Sequence, residues 1–277
     1  MKFVYLNDYN EKEEATISAQ GVTCYRMSSD SALTGKGFDQ LPKTDVYQIR
    51  SNRLSVDDYS KIWSVAKEHG ITLTTNPTSY EIGSSFKEQR LLLRALSPNS
   101  LVLDSETKTN EIREQIELSE MNYPIFVRSE IESAAKYVGV DGCVINENTT
   151  SSIENVVENL KNNVRGFRTL ILKEMLEIAR NQKTNKHIEY RAIGVNGGLL
   201  FFDYDPGSGL QDPYELNMDE FATEALMMLS DGGAKGGLFV DIALTEEGKK
   251  IVVECKNLVN GTIKQLDKLA DAVINNG

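Results

Sequence analysis

The chain has 277 residues, 40% of them apolar, and a formal net charge of -11, which suits one large domain or two to three small ones and, without any cluster of Lys or Arg, argues against a nucleic-acid binder held by phosphate contacts. Cys24, Cys143 and Cys255 are odd in number and far apart, so they form neither a disulfide framework nor a zinc-ligand spacing, and His69 and His187 alone leave little for a His-rich metal site. The N-terminal apolar run is too short for a signal peptide and no stretch approaches the ~20 residues of a membrane span, so a cytoplasmic protein without a membrane partner is expected.

Along the chain, short β-rich segments alternate with helical ones, the mark of an α/β or α+β fold. Phe3–Leu6 and Val46–Arg50 read as strands, and Ser55 with Asp58 three residues on opens a helix. Asn76-Pro77 then breaks the chain ahead of a leucine-rich helix from Phe86 to Leu96. This first α/β lobe is expected over 1–75. A central lobe, 76–168, contains strands at Leu101–Leu103, Ile125–Val127 and Cys143–Ile145. Its two helices bury Ile112 and Ile116, and Ile153, Val156, Val157 and Leu160.

The last lobe, 169–277, starts with strand Leu170–Leu172. Ile188–Val195 and Leu199–Tyr204 flank Asn196-Gly197, a strong hairpin signal. A helix over Asp219–Leu229 leads to a second hairpin, Phe239–Leu244 and Ile251–Cys255. The final helix carries Ile263, Leu266, Leu269, Ala270, Val273 and Ile274 on one side.

That second hairpin carries the best chemical argument. A two-residue turn at Glu247-Gly248 pairs Glu246 with Lys249, and counting outward sets Asp241 opposite Glu254. Val240, Ile242 and Leu244 then share an apolar face with Cys255, Val253 and Ile251, leaving the two carboxylates on the other. Facing like charges call for a cation or for solvent between them, and one or two carboxylates plus substrate phosphates are how magnesium is usually held. An exposed acidic face without metal fits the same pattern.

On the preceding hairpin Glu189 and Arg191 point to one side of their strand, and an arginine fork steadied by a glutamate suits a phosphate; a solvated ion pair is the plainer alternative. Arg128 ends the strand from Pro124, with Ser129, Lys136 and Gly139 after it, so a cation stands where an anion could meet it. No P-loop and no G-x-G-x-x-G fingerprint occurs.

Taken in order, these segments resemble the ATP-grasp superfamily from about Thr75 to Gly261. Asn76-Pro77 and the helix bearing Lys87 resemble the start of that family's central region. Pro124–Arg128 resembles the strand with a nucleotide-contacting lysine, here replaced by Arg128 as in a clade of small phage-type members. Leu170–Leu176 resembles the hinge strand that holds adenine and ribose. Glu189 and Arg191 match a Glu-x-Arg strand, and Asp241 and Glu254 the two metal-binding carboxylates.

The resemblance implies two lobes clasping ATP with Mg2+ and an ADP-forming carboxylate–amine or carboxylate–thiol ligase working through an acyl phosphate. Arg128, Lys136, Lys173, Glu174, Glu189, Arg191 and Lys87 are then the expected nucleotide contacts. Arg191 and Lys256 are the expected catalytic groups, and Asp241, Glu254 and Asn257 the expected metal ligands. The implied partners are small-molecule or peptide carboxylates and amines, with a homodimer left open.

The pattern departs from the family in two places. The family's Glu-x-Asn reads Glu254-Cys255-Lys256-Asn257, so a lysine stands in the amide's position, and the phosphate loop lacks the usual glycines. These departures leave room for a catalytically silent binding or immunity-type protein. Asp241, Glu254 and Lys256 also spell the D…E-x-K pattern of metal-dependent nucleases.

Overall fold

The computed structural model describes the chain except for Arg53, 130–139, 165–167, 205, 206, 208, 276 and 277. The chain divides into two compact units, Met1–Leu93 with Ile178–Gly277, and Arg94–Glu177 between them. Among the described residues no helix is long and apolar enough to cross a membrane.

The first unit opens with a parallel sheet. Strands β1 (Lys2–Leu6), β2 (Cys24–Met27), β3 (Val46–Arg50) and β4 (Thr72–Leu73) lie in the order β2-β1-β3-β4. Helices α1 (Glu11–Ala19), α2 (Ser29–Thr34) and α3 (Val56–Glu68) connect them. Ser55 caps α3 as expected, its Oγ accepting from the Asp58 N–H at 3.0 Å. Asn76 caps α4 (Pro77–Ser84) by accepting from the Ser79 N–H at 2.8 Å, with Pro77 in the first turn where no N–H is needed. Helix α5 (Phe86–Leu93) follows.

The unit's other sheet is antiparallel, in the order β10-β9-β11-β12. Its strands are β9 (Glu189–Val195), β10 (Gly198–Asp203), β11 (Gly237–Leu244) and β12 (Lys250–Asn257). Asn196 and Gly197 both take positive φ, 51° and 86°, as a tight hairpin turn requires. One face, with Val240, Ile242, Cys255 and Asn257, packs against α4, α5 and the helix Met218–Asp231. The other carries Ile193, Phe201 and Phe239 into a core shared with Phe3, Tyr5, Ile17 and the final helix Leu266–Asn275.

In the second unit β5 (Ser100–Asp104), β6 (Ile125–Arg128), β7 (Val144–Ile145) and β8 (Thr169–Glu174) form an antiparallel sheet ordered β5-β8-β6-β7. Helices α6 (Thr109–Leu118) and α7 (Thr150–Asn163) cover it. The strand Thr169–Glu174, grouped with the last hairpins on sequence, pairs with β5 and β6 instead. The reason is packing: Leu170 and Leu172 enter a core with Ile125, Val127, Ile145 and Ile153.

Candidate functional site

A row of charges crosses the antiparallel sheet. Asp203 on β10 is the register partner of Arg191 on β9, Arg191 of Asp241 on β11, and Asp241 of Glu254 on β12. All four therefore face the same side. The Asp241–Glu254 pairing is the expected one, reached by a different route. The connection spans 245–249, so Leu244 pairs with Lys250 and Ile242 with Val252, and Val253 bulges out before Glu254. The longer turn displaces the register by one residue and the bulge restores it.

Arg191 grips Asp241 with both arms, Nε to Oδ1 at 2.7 Å and Nη2 to Oδ2 at 2.8 Å. Its Nη1 donates to the Thr262 carbonyl at 2.9 Å, and the guanidinium lies 5.2 Å from the centre of the Phe239 ring. The bond to Asp241 holds the Arg191 pKa above its ordinary value against the opposing effect of burial. Lys256, two residues beyond Glu254 on the same face, sets its Nζ 2.8 Å from Glu254 Oε2. Asp203 is buried and accepts from the backbone N–H of Lys264 (3.0 and 2.9 Å) and of Gln265 (2.7 Å).

Beside the row opens a cavity of about 340 Å³, whose walls include Lys186, His187, Glu189, Arg191, Asp241 and Lys264. Glu189 is exposed, yet the surrounding protein, and then the Asp241 charge, push its carboxyl above the ordinary value. Among the described residues Lys186 and Lys264 make no ion pair, so both ammonium groups are available to an anionic ligand in that cavity.

The other expected residues fall elsewhere. Asn257 lies on the opposite face of β12 and is fully buried. Its Oδ1 accepts from the N–H groups of Val259 (3.0 Å) and Asn260 (3.2 Å), and its Nδ2 donates to Tyr80 O and Ser84 Oγ at 3.2 Å. The structure thus does not bring it to the carboxylate pair. Lys87 is exposed on α5. Lys136 lies outside the described residues.

In the second unit Arg128 and Lys173 share a face, since Arg128 pairs with Ile171 and Phe126 with Lys173. Glu174 points to the other face and accepts from the Asn122 N–H at 2.6 Å and Nδ2 at 3.2 Å. Among the described residues no three His, Cys, Asp or Glu side chains form a metal-holding group. As arranged, the side chains do not fit a divalent ion: both Asp241 oxygens are taken by Arg191, Glu254 is taken by Lys256, and Asp203 is taken by backbone N–H groups.

Asp203 and Lys264 were not expected on sequence. Counting outward from Asn196-Gly197 sets Phe202 opposite Arg191, but Leu200 bulges and moves Asp203 into that place. A bulge of this kind leaves no composition signal.

This pair of sheets, with an antiparallel α+β unit inserted between the segments of the first, is the fold of ATP-grasp ligases. The chain is similar to D-cycloserine synthetase DcsG over 100% of its own length and 99% of that chain, with a TM-score of 0.65 at 11% identity. It is similar to the ATP-grasp ligase PsnB, solved with a minimal precursor, over 100% of both chains (TM-score 0.63, 12% identity). It also matches D-alanine–D-alanine ligase from Bacillus anthracis, solved with ATP, over 99% of this chain and 91% of that one (TM-score 0.61, 13% identity). At such identity the likeness is one of fold. No family model matches the sequence, and no curated protein matches it.

Proposed function

We propose that this protein is an ATP-dependent, ADP-forming ligase that joins a carboxylate to an amine or a thiol. The observation that carries the reading is the charged row Asp203–Arg191–Asp241–Glu254 with Lys256 and the adjoining cavity, set in a fold shared with D-alanine–D-alanine ligase and the ATP-grasp ligase PsnB.

In this reading a substrate carboxylate oxygen bonds to the γ-phosphorus as the β–γ bridging bond breaks and ADP leaves. The amine or thiol then attacks the acyl carbon, and the C–O bond to phosphate breaks. The protein is asked for placement and electrostatic stabilisation rather than covalent chemistry. Lys186, Lys264 and Lys256 supply positive charge to the anion, and Asp241 fixes the plane of Arg191. On the second unit Arg128 and Lys173 are the proposed nucleotide contacts.

Isothermal titration of the full chain with ATP, followed by measurement of ADP release against a panel of carboxylates and amines, tests the reading. ATP binding with acceptor-dependent ADP release is expected, and no heat at millimolar ATP would sink it. A silent binding protein gains support from the ion pairs that already neutralise Asp241 and Glu254, and it would bind ATP with no ADP release for any acceptor.

A further inference from the structure

We propose that the facing carboxylates Asp241 and Glu254 are balanced by the chain's own cations, and that Lys256 takes the place a divalent metal ion would otherwise fill. The inference concerns the carboxylate pair and goes beyond the ligase reading.

Two carboxylates directly opposite on neighbouring strands repel, and a folded chain that keeps them so needs positive charge close by. Here that charge is built into the sheet. Arg191 occupies the register position across from Asp241 and binds both of its oxygens. Lys256 follows Glu254 by two residues, the spacing that returns a strand side chain to the same face, and its ammonium meets Glu254 Oε2 at 2.8 Å. Two negative charges are thus met by two positive ones.

The backing of the row keeps this arrangement in place. Phe239 is the register partner of both Ile193 and Lys256, and Arg191 lies over its ring. The Arg191 guanidinium, 5.2 Å from the ring centre, is within reach of a cation–π attraction that helps to hold it. The Thr262 carbonyl takes the remaining arm of Arg191.

A magnesium ion requires near-octahedral oxygen ligands. To reach Asp241 it must displace two charge-assisted hydrogen bonds, each stronger than a neutral one. Asn257 is on the opposite face with its Oδ1 engaged twice, and both Asp203 oxygens accept from backbone N–H groups, so neither side chain offers the ion a free oxygen. Removing the Lys256 charge takes away the ammonium that meets Glu254 Oε2 and leaves the Arg191–Asp241 fork in place.

The test is titration of the full chain with Mn2+ alone, free ion being counted by electron paramagnetic resonance, for wild type, Lys256→Asn, Lys256→Gln and Lys256→Arg. Wild type and Lys256→Arg are expected to leave Mn2+ free at sub-millimolar concentration. Lys256→Asn and Lys256→Gln are expected to gain one site bound about 10- to 100-fold more tightly, the range by which groups around a metal's ligands alter affinity. Tight Mn2+ binding by wild type overturns the proposal, as does a neutral variant that folds and binds no better than wild type. Should Lys256→Asn fail to fold, Lys256→Gln and the wild-type titration still decide. No nucleotide is present, so the result stands apart from whether the chain binds ATP.

Discussion

The segment behind the site is anchored by a residue that lies outside it. Arg50, at the end of β3, is fully buried and donates to Glu13 through Nε (2.8 Å) and Nη2 (2.9 Å), to the Tyr9 hydroxyl, and to the carbonyls of Leu258 and Gly261, the last at 2.8 Å. Burial opposes its charge, and Glu13 more than offsets that, holding the guanidinium ionised. Leu258 and Gly261 open the segment whose Thr262 carbonyl takes Arg191 and whose Lys264 and Gln265 N–H groups hold Asp203. Arg50→Ala leaves the Glu13 carboxylate buried without its counter-charge, with only the Tyr5 and Tyr9 hydroxyls donating to it, and is expected to cost about 3–5 kcal/mol, read from urea unfolding. Glu189 titrates with the opposite consequence. Its carboxyl is raised above the ordinary 4.5 by the surrounding protein and by Asp241. In acid below the unfolded-state value the group is protonated in both states. As pH rises toward the folded-state value the native chain keeps a proton that the unfolded chain has released, and stability falls. Glu189→Gln removes that loss, so melting temperatures of variant and wild type should diverge in the variant's favour between acid and neutral pH, and no divergence would place Glu189 in ordinary solvent.

At the scale of elements, the strand edge of β12 is closed by a side chain. Gln89 on α5 accepts from the Cys255 N–H at 3.1 Å and donates to the Cys255 carbonyl at 2.8 Å, so one amide stands in for a neighbouring strand. Gln89→Leu keeps the volume and leaves both backbone groups unpaired, an expected loss of about 1–3 kcal/mol for each buried group that water does not reach. Faster hydrogen exchange at the Cys255 amide is the direct measurement, and unchanged protection would count against the clamp. Elements were also where the sequence was read with most success and least. The Asn196-Gly197 hairpin was legible because a tight turn needs two residues that tolerate positive φ, and few pairs do. The Ser55 and Asn76 caps were legible for a comparable reason, each supplying an oxygen to a helix N–H. The bulges at Leu200 and Val253 were not, since both residues are ordinary strand formers and the extra residue is absorbed by the pairing partner. One bulge hid Asp203; the other rescued the Asp241–Glu254 pairing from a turn read one residue too short. β1 was legible as the continuous apolar run Phe3–Leu6 and the C-terminal hairpins by alternation, whereas β2 is four residues long and offers only Tyr25 and Met27 on its apolar face, too short a pattern to mark a strand.

At the scale of the whole molecule, the fold follows from how its cores are distributed along the chain. Among the described residues the core of the second unit runs from Leu101 to Leu172, and the four strands of its sheet all lie within Arg94–Glu177. The first unit is built the other way: besides a core drawn mainly from its N-terminal segment, Phe3, Tyr5 and Ile17 share a core with Phe239, Leu269 and Val273, so the C-terminal segment needs the N-terminal one to cover that face. A contiguous segment of domain size with its own core can fold alone, although at this length the margin is small. The fragment 94–177 is therefore expected to unfold cooperatively with dispersed amide resonances, while 178–277 alone, deprived of β1 and α1, is expected to expose the Ile193–Phe201–Phe239 face and to bind a hydrophobic dye or aggregate. Heteronuclear spectra and thermal melts of the two fragments decide the matter: a disordered 94–177 would mean that the second unit draws stability from the rest of the chain. An ordered 178–277 would mean that the charged row stands on its sheet without the N-terminal strand that the shared core gives it.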